Sequence, residues 1–469
     1  MSESFIVTGS LFGDEGKGSV SDYLASIHDI HENVRFNGGS QASHTVVVNN
    51  KKHKFSQLGS TMLNDSKTYL SDNTIVNPFN IVTEAKRLSE ITNMSVEEII
   101  DRVYLSKQAS LVTPYHSLIN KLRELYQKDN NFGSVGTGVS EVNRLKNSTG
   151  IDIKIDDFIN GNYEHKLHEL FDYTKDYLKM VRPSINEDLF EELISEKDLY
   201  YLTHDRNRDY IIRCYRNLFD SNLFHLVDGI DEFHTGGNVL FEGSQGLLID
   251  KDYGIKPNTT MLDTTNKYGV KLSQDINSNP VRVGCLSSLN SRHGKGLLTT
   301  HDDYLDSIIH DENQMPSYFQ GVPRYGWIDC VLIRYSNMVN PNDYYIMSHL
   351  DRLSNLDVLK ICNSYEYDGL ITDEFNELFE YYIENGKVII INIKKNSDNL
   401  KDYLSKCKPR YIELENKKRN ISDYKDYYDL PFIYQDYVSL IELLTNIKIK
   451  TVSVGPDRNQ KLERILIWI

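Results

Sequence analysis

The sequence has few of the features that mark disulfide-rich, zinc-binding or membrane proteins. Only five of its 469 residues are cysteines, which are scattered from Cys214 to Cys407 without a CxxC pair. A disulfide framework or a structural zinc site is therefore not expected, and a reducing, cytoplasmic setting fits best. No run approaches the roughly 18 consecutive apolar residues of a membrane-spanning helix. The first residues also lack the basic and apolar segments of a secretory leader, so we expect neither a membrane span nor a leader.

The chain also lacks an excess of positive charge. Its 52 Lys and Arg are outnumbered by 67 Asp and Glu, which gives a net charge of −15. Direct nucleic-acid binding is not expected, because phosphate contacts require clustered cations. With only 11 prolines, 31 tyrosines and 39% hydrophobic residues, the composition is that of a folded chain with a large core. Any phosphate that it binds must therefore be bound in a local pocket.

The order of apolar runs and turn signals predicts an α/β fold. Residues 5–8 are apolar and β-branched, residues 9–18 are rich in glycine, and residues 19–26 have helical spacing, which predicts a strand, a loop and a helix. Further strands are expected at 33–37, 45–48, 238–241, 281–283, 344–347 and 448–454. Because strands alternate with helical stretches, we expect one domain over 1–469, built on a mostly parallel, twisted sheet.

Three polar stretches are expected at the periphery of this domain. Residues 84–130 and 155–232 have helical patterns and are expected to form helical subdomains or insertions. Residues 390–430 are rich in Asn, Asp, Lys and Tyr, and we expect peripheral helices and loops there.

The glycine loop after the first strand is the clearest chemical signal. Such a loop presents backbone N–H groups to an anion at a helix N-terminus, and Lys17 adds a full positive charge. The loop resembles a P-loop, but it does not fit GxxxxGK[ST], because Leu11 stands where the first glycine should be. It also contains Asp14 and Glu15, which would repel phosphate. An acid here is useful if it holds Mg²⁺ between phosphates or takes a proton from a substrate.

Seven motifs in order resemble the adenylosuccinate synthetase family. GDEGKG at 13–18, followed by SVSDYLA, resembles the family signature. The others are NGGSQASHTVVVN at 37–49, FEGSQGLLIDKDYG at 241–254, VRVG at 281–284, GWIDCVLIR at 326–334, SHLD at 348–351 and VGPDR at 454–458. The resemblance covers most of 1–60, 105–150, 238–290 and 320–469 and is weak in 155–232. It implies a homodimeric ligase of purine biosynthesis that uses GTP and Mg²⁺ to join L-aspartate to a 6-oxopurine mononucleotide, IMP.

The resemblance also implies a role for three catalytic residues. Asp14 matches the base that removes the purine N1 proton, so that O6 can attack the γ-phosphate. His44 matches the acid that stabilises the phosphoryl group in flight. Gln245 matches a residue that holds the purine. The resulting 6-phosphoryl group leaves when the aspartate amine attacks C6. Asp14 and the backbone carbonyl of Ser43 match the Mg²⁺ ligands.

The nucleotide-binding positions follow from the same motifs. Gln41 stands where the family has an Asn that contacts the nucleotide phosphate, and Ser134 substitutes for a Thr that has become Val135. Asp351 matches the carboxylate that reads guanine, and Arg144 is the best match to an arginine that a partner subunit lends to the phosphate. The remaining nucleotide contacts are expected at Gly13, Glu15, Gly16, Lys17, Gly18, Thr260, Ser453, Gly455 and Pro456.

The amino-acid loop departs most from the family. The family has threonines and an arginine pair before GW, whereas in this chain one arginine aligns as Arg324, Val322 replaces another and the threonines are absent. Gln320 belongs to the same loop. Two arginines normally bind a dicarboxylate through fork-like pairs, so the loss of one should weaken the aspartate site.

Three alternatives therefore stay open from the sequence. The acceptor could be (d)GMP instead of IMP, giving 2-aminoadenylosuccinate for modified DNA, because the 2-amino pocket is not readable from motifs. The enzyme could transfer phosphoryl groups on a purine nucleotide without using aspartate. The chain could also be a regulatory nucleotide-binding module, although the presence of both Asp14 and His44 argues against it.

Overall fold

A computed structural model of the chain describes residues 2–128, 133–309, 311 and 318–465. Its strands are β1 (Ser4–Gly9), β2 (Ile30–Arg35), β3 (His44–Val48), β4 (Lys51–Phe55), β5 (Lys67–Leu70), β6 (Ile75–Val76), β7 (Val103–Ser106), β8 (Ser110–Leu111), β9 (His225–Val227), β10 (Asn238–Glu242), β11 (Val281–Ser287), β12 (Leu289–Arg292), β13 (Arg324–Asp329), β14 (Tyr344–Ser348), β15 (Val358–Tyr367), β16 (Phe379–Glu384), β17 (Lys387–Ile393), β18 (Cys407–Glu415), β19 (Ile449–Ser453) and β20 (Lys461–Glu463). Its helices are α1 (Lys17–Ile27), α2 (Pro78–Ser89), α3 (Val96–Ile100), α4 (Pro114–Gln127), α5 (Val139–Thr149), α6 (Ile155–Asn160), α7 (Tyr163–Val181), α8 (Glu187–Leu193), α9 (Glu196–Thr203), α10 (Asp205–Asp220), α11 (Lys267–Asp275), α12 (Asp303–Ile308), α13 (Cys330–Val339), α14 (Asp373–Leu378), α15 (Leu400–Leu404) and α16 (Phe432–Thr445).

A ten-stranded sheet in the order β20-β19-β14-β11-β1-β10-β2-β5-β7-β9 forms the centre of the molecule. Every neighbouring pair in it is parallel except β19 and β20. The predicted mostly parallel α/β sheet is therefore confirmed. Parallel strands are buried on both faces, which explains why β1, SFIVTG, is buried along its whole length.

Helix α1 covers one face of this sheet next to β1. Its apolar side, Val20 and Leu24, packs in one cluster with Phe5 and Val7 of β1. The helix begins directly after Gly16, whose φ of 74° lies in the left-handed region that glycine adopts without strain. The loop between β1 and α1 thus ends in the conformation that its glycines permit.

The stretch expected to be helical at 84–130 is only partly so. It contains the second half of α2 and all of α3 and α4, but also β7 and β8, and β7 lies in the large sheet. Residues 155–232 form α6 to α10 and then β9, the edge strand of the same sheet. Residues 129 and 130 lie outside the described part of the chain.

The expectation of only helices and loops at 390–430 is wrong. Strand β18 pairs antiparallel with β15 from Val358↔Glu415 to Tyr367↔Cys407, in a second sheet that also contains β12, β13, β16 and β17. Four of the nine residues of β18 are charged, one is a proline and none is fully buried, so its sequence does not have the pattern of a core strand.

The strand predicted at 45–48 exists as β3, but it pairs with β4 in a separate hairpin and not with the large sheet. This hairpin places His44 beside the start of α1.

Among the described residues, we find no helix with both the length and the apolar character to cross a membrane.

Candidate active site

A cavity of about 880 Å³ opens at the carboxyl ends of the central strands. Ligands of open parallel sheets bind at this edge, where loops from several strands converge. Eighteen of the twenty site residues named from the sequence line it: Gly13, Asp14, Gly16, Lys17, Gly18, Gln41, Ser43, His44, Ser134, Val135, Arg144, Gln245, Thr260, Gln320, Asp351, Ser453, Gly455 and Pro456. The two others, Glu15 and Arg324, do not.

Glu15 supports the glycine loop from inside. Its Oε1 accepts the backbone N–H of Leu11 at 2.6 Å and of Gly13 at 3.1 Å, and its side chain is 2% exposed. Burial raises the pKa of this carboxyl, while Lys17 and the two N–H groups oppose the rise. Glu15 therefore shapes the loop and faces away from the cavity.

The start of α1 packs closely against His44. A Cβ on Gly18 would lie 2.6 Å from His44 Cβ and 3.0 Å from its Cα. Lys17, one residue earlier, donates from Nζ to the Gly13 carbonyl at 2.5 Å. The absence of a side chain at position 18 thus lets the imidazole sit beside the phosphate loop.

His44 is oriented by a buried carboxylate. Its Nδ1 lies 2.5 Å from Glu242 Oε1, and Glu242 also accepts from the Ser60 N–H, the Ser60 hydroxyl and Asn33 Nδ2. An ionised carboxylate only accepts hydrogen bonds, so Nδ1 carries the proton and Nε2 is left for the cavity. Burial and the nearby Arg35 lower the pKa of His44 to about 4. The pKa of Glu242 is lowered to about 2, because Arg35 and His44 outweigh the effect of burial.

Asp14 is paired with a histidine that the sequence analysis did not single out. His293 Nε2 lies 3.2 Å from Asp14 Oδ2, and the two side chains are 23% and 35% exposed. Burial alone would raise the pKa of Asp14, but His293, Lys17 and Arg352 together lower it below its usual value. The carboxylate is thus ionised near neutral pH and able to accept a proton.

Asp14 and Ser43 fit a hard cation. The carboxylate and the exposed Ser43 both border the cavity, and carboxylate and carbonyl oxygens are ligands that Mg²⁺ prefers. Lys17 lines the same cavity and adds a positive charge beside them.

Polar atoms without protein partners face the expected acceptor position. Both side-chain polar atoms of Gln41, Oε1 of Gln245 and Oγ1 of Thr260 are buried and make no hydrogen bond to the described residues. All three residues line the cavity. Because a buried polar atom without a partner is costly, such atoms indicate a site that a polar ligand completes.

The loop at 133–138 is attached to α4. Glu124 accepts the N–H groups of Gly133 and Ser134 at 3.1 Å each, and Asn120 Nδ2 lies 3.0 Å from Ser134 Oγ. Ser134 is thus held at the cavity wall, whereas Val135 beside it is 48% exposed and offers no side-chain donor.

Arg144 lies beside two residues that the sequence analysis missed. Arg123 donates from Nε and Nη2 to Glu141 at 2.9 and 3.1 Å, and Arg144 Nε lies 3.2 Å from the same carboxylate. All three line the cavity of their own chain. The expectation that Arg144 serves a partner subunit is not tested by one chain.

The predicted base-reading position, Asp351, also borders the cavity. Burial raises the pKa of Asp351. Its neighbour His349 has a φ of 60° and places Nδ1 2.9 Å from Ser348 Oγ. Ser453 donates to the Gly455 carbonyl at 2.7 Å, which closes the loop opposite.

The amino-acid loop is built differently from the family pattern. Arg324 donates from Nη2 to the carbonyls of Gly294 and Gly296 at 2.7 and 2.5 Å, and it borders a neighbouring cavity of about 680 Å³. Gln320 lines both cavities. Ser317, at the start of this loop, lies outside the described residues.

The motif at 281–284 is not at the site. These residues begin β11, and Arg282 pairs with Asp343 at the opposite end of the sheet. The same Arg-x-Gly spacing recurs at 292–294, where Arg292 and His293 line the cavity. A third copy of the spacing stands at 324–326, so the spacing alone does not identify His293 from the sequence.

The chain is similar to known proteins over almost its whole length. Residues 6–462 match the family model described as adenylosuccinate synthetase. Adenylosuccinate synthetase from Exiguobacterium sp. is 31% identical over 466 residues, covering 97% of both chains, and that from Clostridium novyi is 29% identical over 466 residues, covering 98% of both.

Two solved structures share the fold. Fully ligated adenylosuccinate synthetase from Plasmodium falciparum has a TM-score of 0.78 at 21% identity, covering 99% of this chain and 100% of that chain. Cyanophage S-2L succinoaminodeoxyadenylate synthetase, bound to dGMP and dATP as an energy donor, has a TM-score of 0.57 at 12% identity, covering 99% and 95%. The sequence matches show that this chain belongs to the adenylosuccinate synthetase family of C–N ligases.

Proposed function

We propose that this chain uses GTP to join L-aspartate to C6 of IMP, giving adenylosuccinate. The observation that carries the proposal is the meeting, in one cavity, of an ionised Asp14, a His44 with a free Nε2, and Lys17 in a glycine loop. A base, a phosphoryl donor site and an acid are the three elements that phosphorylation of a ring oxygen requires.

The first step makes O6 a leaving group. Asp14 takes the N1 proton, O6 forms a bond to the γ-phosphorus, and the bond from that phosphorus to the bridging oxygen breaks, so that GDP leaves. Mg²⁺, held by Asp14 and the Ser43 carbonyl, would neutralise charge on the phosphates. His44 donates from Nε2 to the transferring group once the anionic phosphates have raised its pKa, and Glu242 holds its ring in place.

The second step exchanges phosphate for the amine. The aspartate nitrogen attacks C6, the C6–O6 bond breaks, phosphate leaves with O6, and the nitrogen loses a proton. Gln245, with Oε1 unpartnered, is assigned to the purine, and Gln41, Thr260 and Ser134 to its 5′-phosphate. Asp351 is assigned to the guanine of GTP.

The test is turnover with defined substrates. With GTP, Mg²⁺, aspartate and IMP, the protein should form a succinylated purine nucleotide, and Asp14→Asn should not. Conversion of dGMP but not IMP would keep the chemistry and correct the acceptor to that of the cyanophage enzyme. Phosphate release without succinyl product would instead favour phosphoryl transfer without aspartate, in agreement with the position of Arg324.

A homodimer is proposed from the family resemblance. Sedimentation equilibrium should give twice the mass of one 54.2 kDa chain.

A further inference from the structure

Helix α4 presents three polar residues to the cavity on one face. Asn120, Arg123 and Glu124 stand at positions i, i+3 and i+4, which lie next to one another on a helix surface. Asn120 and Glu124 hold the 133–134 loop through Ser134 and Gly133. Arg123 is therefore fixed on the same helical turn as the two residues that position Ser134.

One edge of the Arg123 guanidinium makes no hydrogen bond to the described residues. Nε and Nη2 both donate to Glu141, and the ring of Tyr177 lies 5.1 Å from the guanidinium carbon. Nη1 makes no hydrogen bond to the described residues. A guanidinium that is held on one edge and one face is pre-organised, so little side-chain entropy is lost when the free edge binds an anion.

Two arginines converge on Glu141, while Glu124, the other buried carboxylate beside Arg123, accepts backbone N–H groups of the 133–134 loop. Glu141 is 1% exposed and is bonded to both Arg123 and Arg144, so two cations share one buried carboxylate. Two further observations indicate an anion here. Thr260, 7% exposed, has an unpartnered Oγ1, and α5 begins beside the cavity after Gly138, whose φ is 86°. A helix N-terminus favours negative charge.

We propose that Arg123 binds the 5′-phosphate of the acceptor mononucleotide from within its own chain, with Arg144 beside it across Glu141. The inference rests on the proposed function for the identity of the ligand. It assigns the main cationic contact of that phosphate to α4, in addition to the arginine position that the family resemblance gave to a partner subunit. This charge then reaches the acceptor site from the same chain.

Calorimetric binding of IMP and of inosine separates this role from a structural one. Arg123→Gln should weaken IMP binding about 10- to 100-fold, as expected for loss of a hydrogen bond to a charged group, and leave inosine binding unchanged, because inosine has no phosphate. Arg206→Gln, at an exposed position of α10, makes the same charge change and should alter neither. Equal weakening of IMP and inosine would mean that Arg123 only holds α4 to α5, and would overturn the proposal.

Glu141→Gln gives the opposite change of charge. If Arg123 binds the phosphate, this variant should weaken IMP binding less than Arg123→Gln does, because the cation stays and only one of the groups that hold it is changed. If Arg123 serves only to pair Glu141, Glu141→Gln and Arg123→Gln should weaken IMP binding alike.

Mixing Arg123→Gln with the inactive Asp14→Asn, assayed at an IMP concentration too low to saturate Arg123→Gln, tests the assignment to one chain. Arg123→Gln and Asp14→Asn, unfolded and refolded together, should regain no more activity than the sum of the two alone. Recovery of activity in hybrid dimers would show that Arg123 acts across subunits and would overturn the cis assignment. If wild-type protein bound no purine mononucleotide at all, the proposed function itself would fail, which the IMP titration detects before any variant is made.

Discussion

Replacing Glu242 with glutamine removes the charge that orients His44 and leaves every contact with substrate in place. Glu242 is fully buried and accepts four hydrogen bonds, one of them from His44 at 2.5 Å. Without the carboxylate, the imidazolium loses its buried counter-charge, and the pKa of His44, already lowered to about 4 by burial and Arg35, falls further. Loss of one donor to a developing charge costs about 100- to 1,000-fold in kcat, so we expect that decrease with KM values nearly unchanged.

Glu242→Gln should also lower the free energy of unfolding. A glutamine amide would direct its own N–H toward a backbone or side-chain donor, because Ser60 and Asn33 both donate to Glu242. Breaking a buried pair on one side costs about 3 kcal/mol, measurable as a lower urea midpoint.

A matched control exists elsewhere in the chain. Glu32 is 4% exposed and accepts from His234 at 2.6 Å and from Thr235, away from the cavity. Glu32→Gln should lower stability by a similar amount and leave kcat intact. If folded Glu242→Gln, checked by circular dichroism, kept kcat within three-fold of the wild type, the assignment of His44 as the phosphoryl-stabilising acid would be refuted.

Three further outcomes follow from the site. Gly18→Ala should lower both kcat and the melting temperature, because its Cβ would meet His44 at 2.6 Å; an unchanged kcat would contradict the close packing. Asp351→Asn should raise KM for GTP about 10-fold or more, since it removes a charged group that accepts hydrogen bonds. Initial-rate measurements should show no change in KM for the mononucleotide. Burial lowers the pKa of His116 to about 3, so the neutral form is favoured in the folded state and the stability that His116 contributes is lost as pH falls below 6.5. Because His116→Gln abolishes this titration, the stability of the wild type relative to the variant should fall by about 2 kcal/mol between pH 7 and pH 5 in urea titrations, and a constant difference would contradict the shift.

Local sequence patterns were sufficient to predict the glycine loop and the parallel sheet. Strand, glycine and helix signals are adjacent in the chain around Gly16. Strand β1, which is buried along its whole length, contains the apolar and β-branched run at 5–8 from which it was predicted. The direction of Glu15 was not predictable, because whether an acid in a loop faces the ligand or the loop's own N–H groups depends on backbone geometry.

The features that the sequence analysis missed depend on tertiary structure. The edge strand β18 is half-exposed and polar, so it becomes a strand only by pairing with β15. His293 is the middle residue of an Arg-x-Gly spacing that also occurs at 282–284 and 324–326, and only the topology shows which copy reaches Asp14. Arg123 looks like any basic residue of an amphipathic helix until α5 brings Glu141 against it.

The transfer of the purine oxygen tests the central claim most directly. With IMP carrying ¹⁸O at position 6, together with GTP, Mg²⁺ and aspartate, the label should appear in the inorganic phosphate released, in equal amount to the succinylated product. If the label were found in water, with unlabelled phosphate, O6 would never have been phosphorylated, and the roles given to Asp14 and His44 would be wrong.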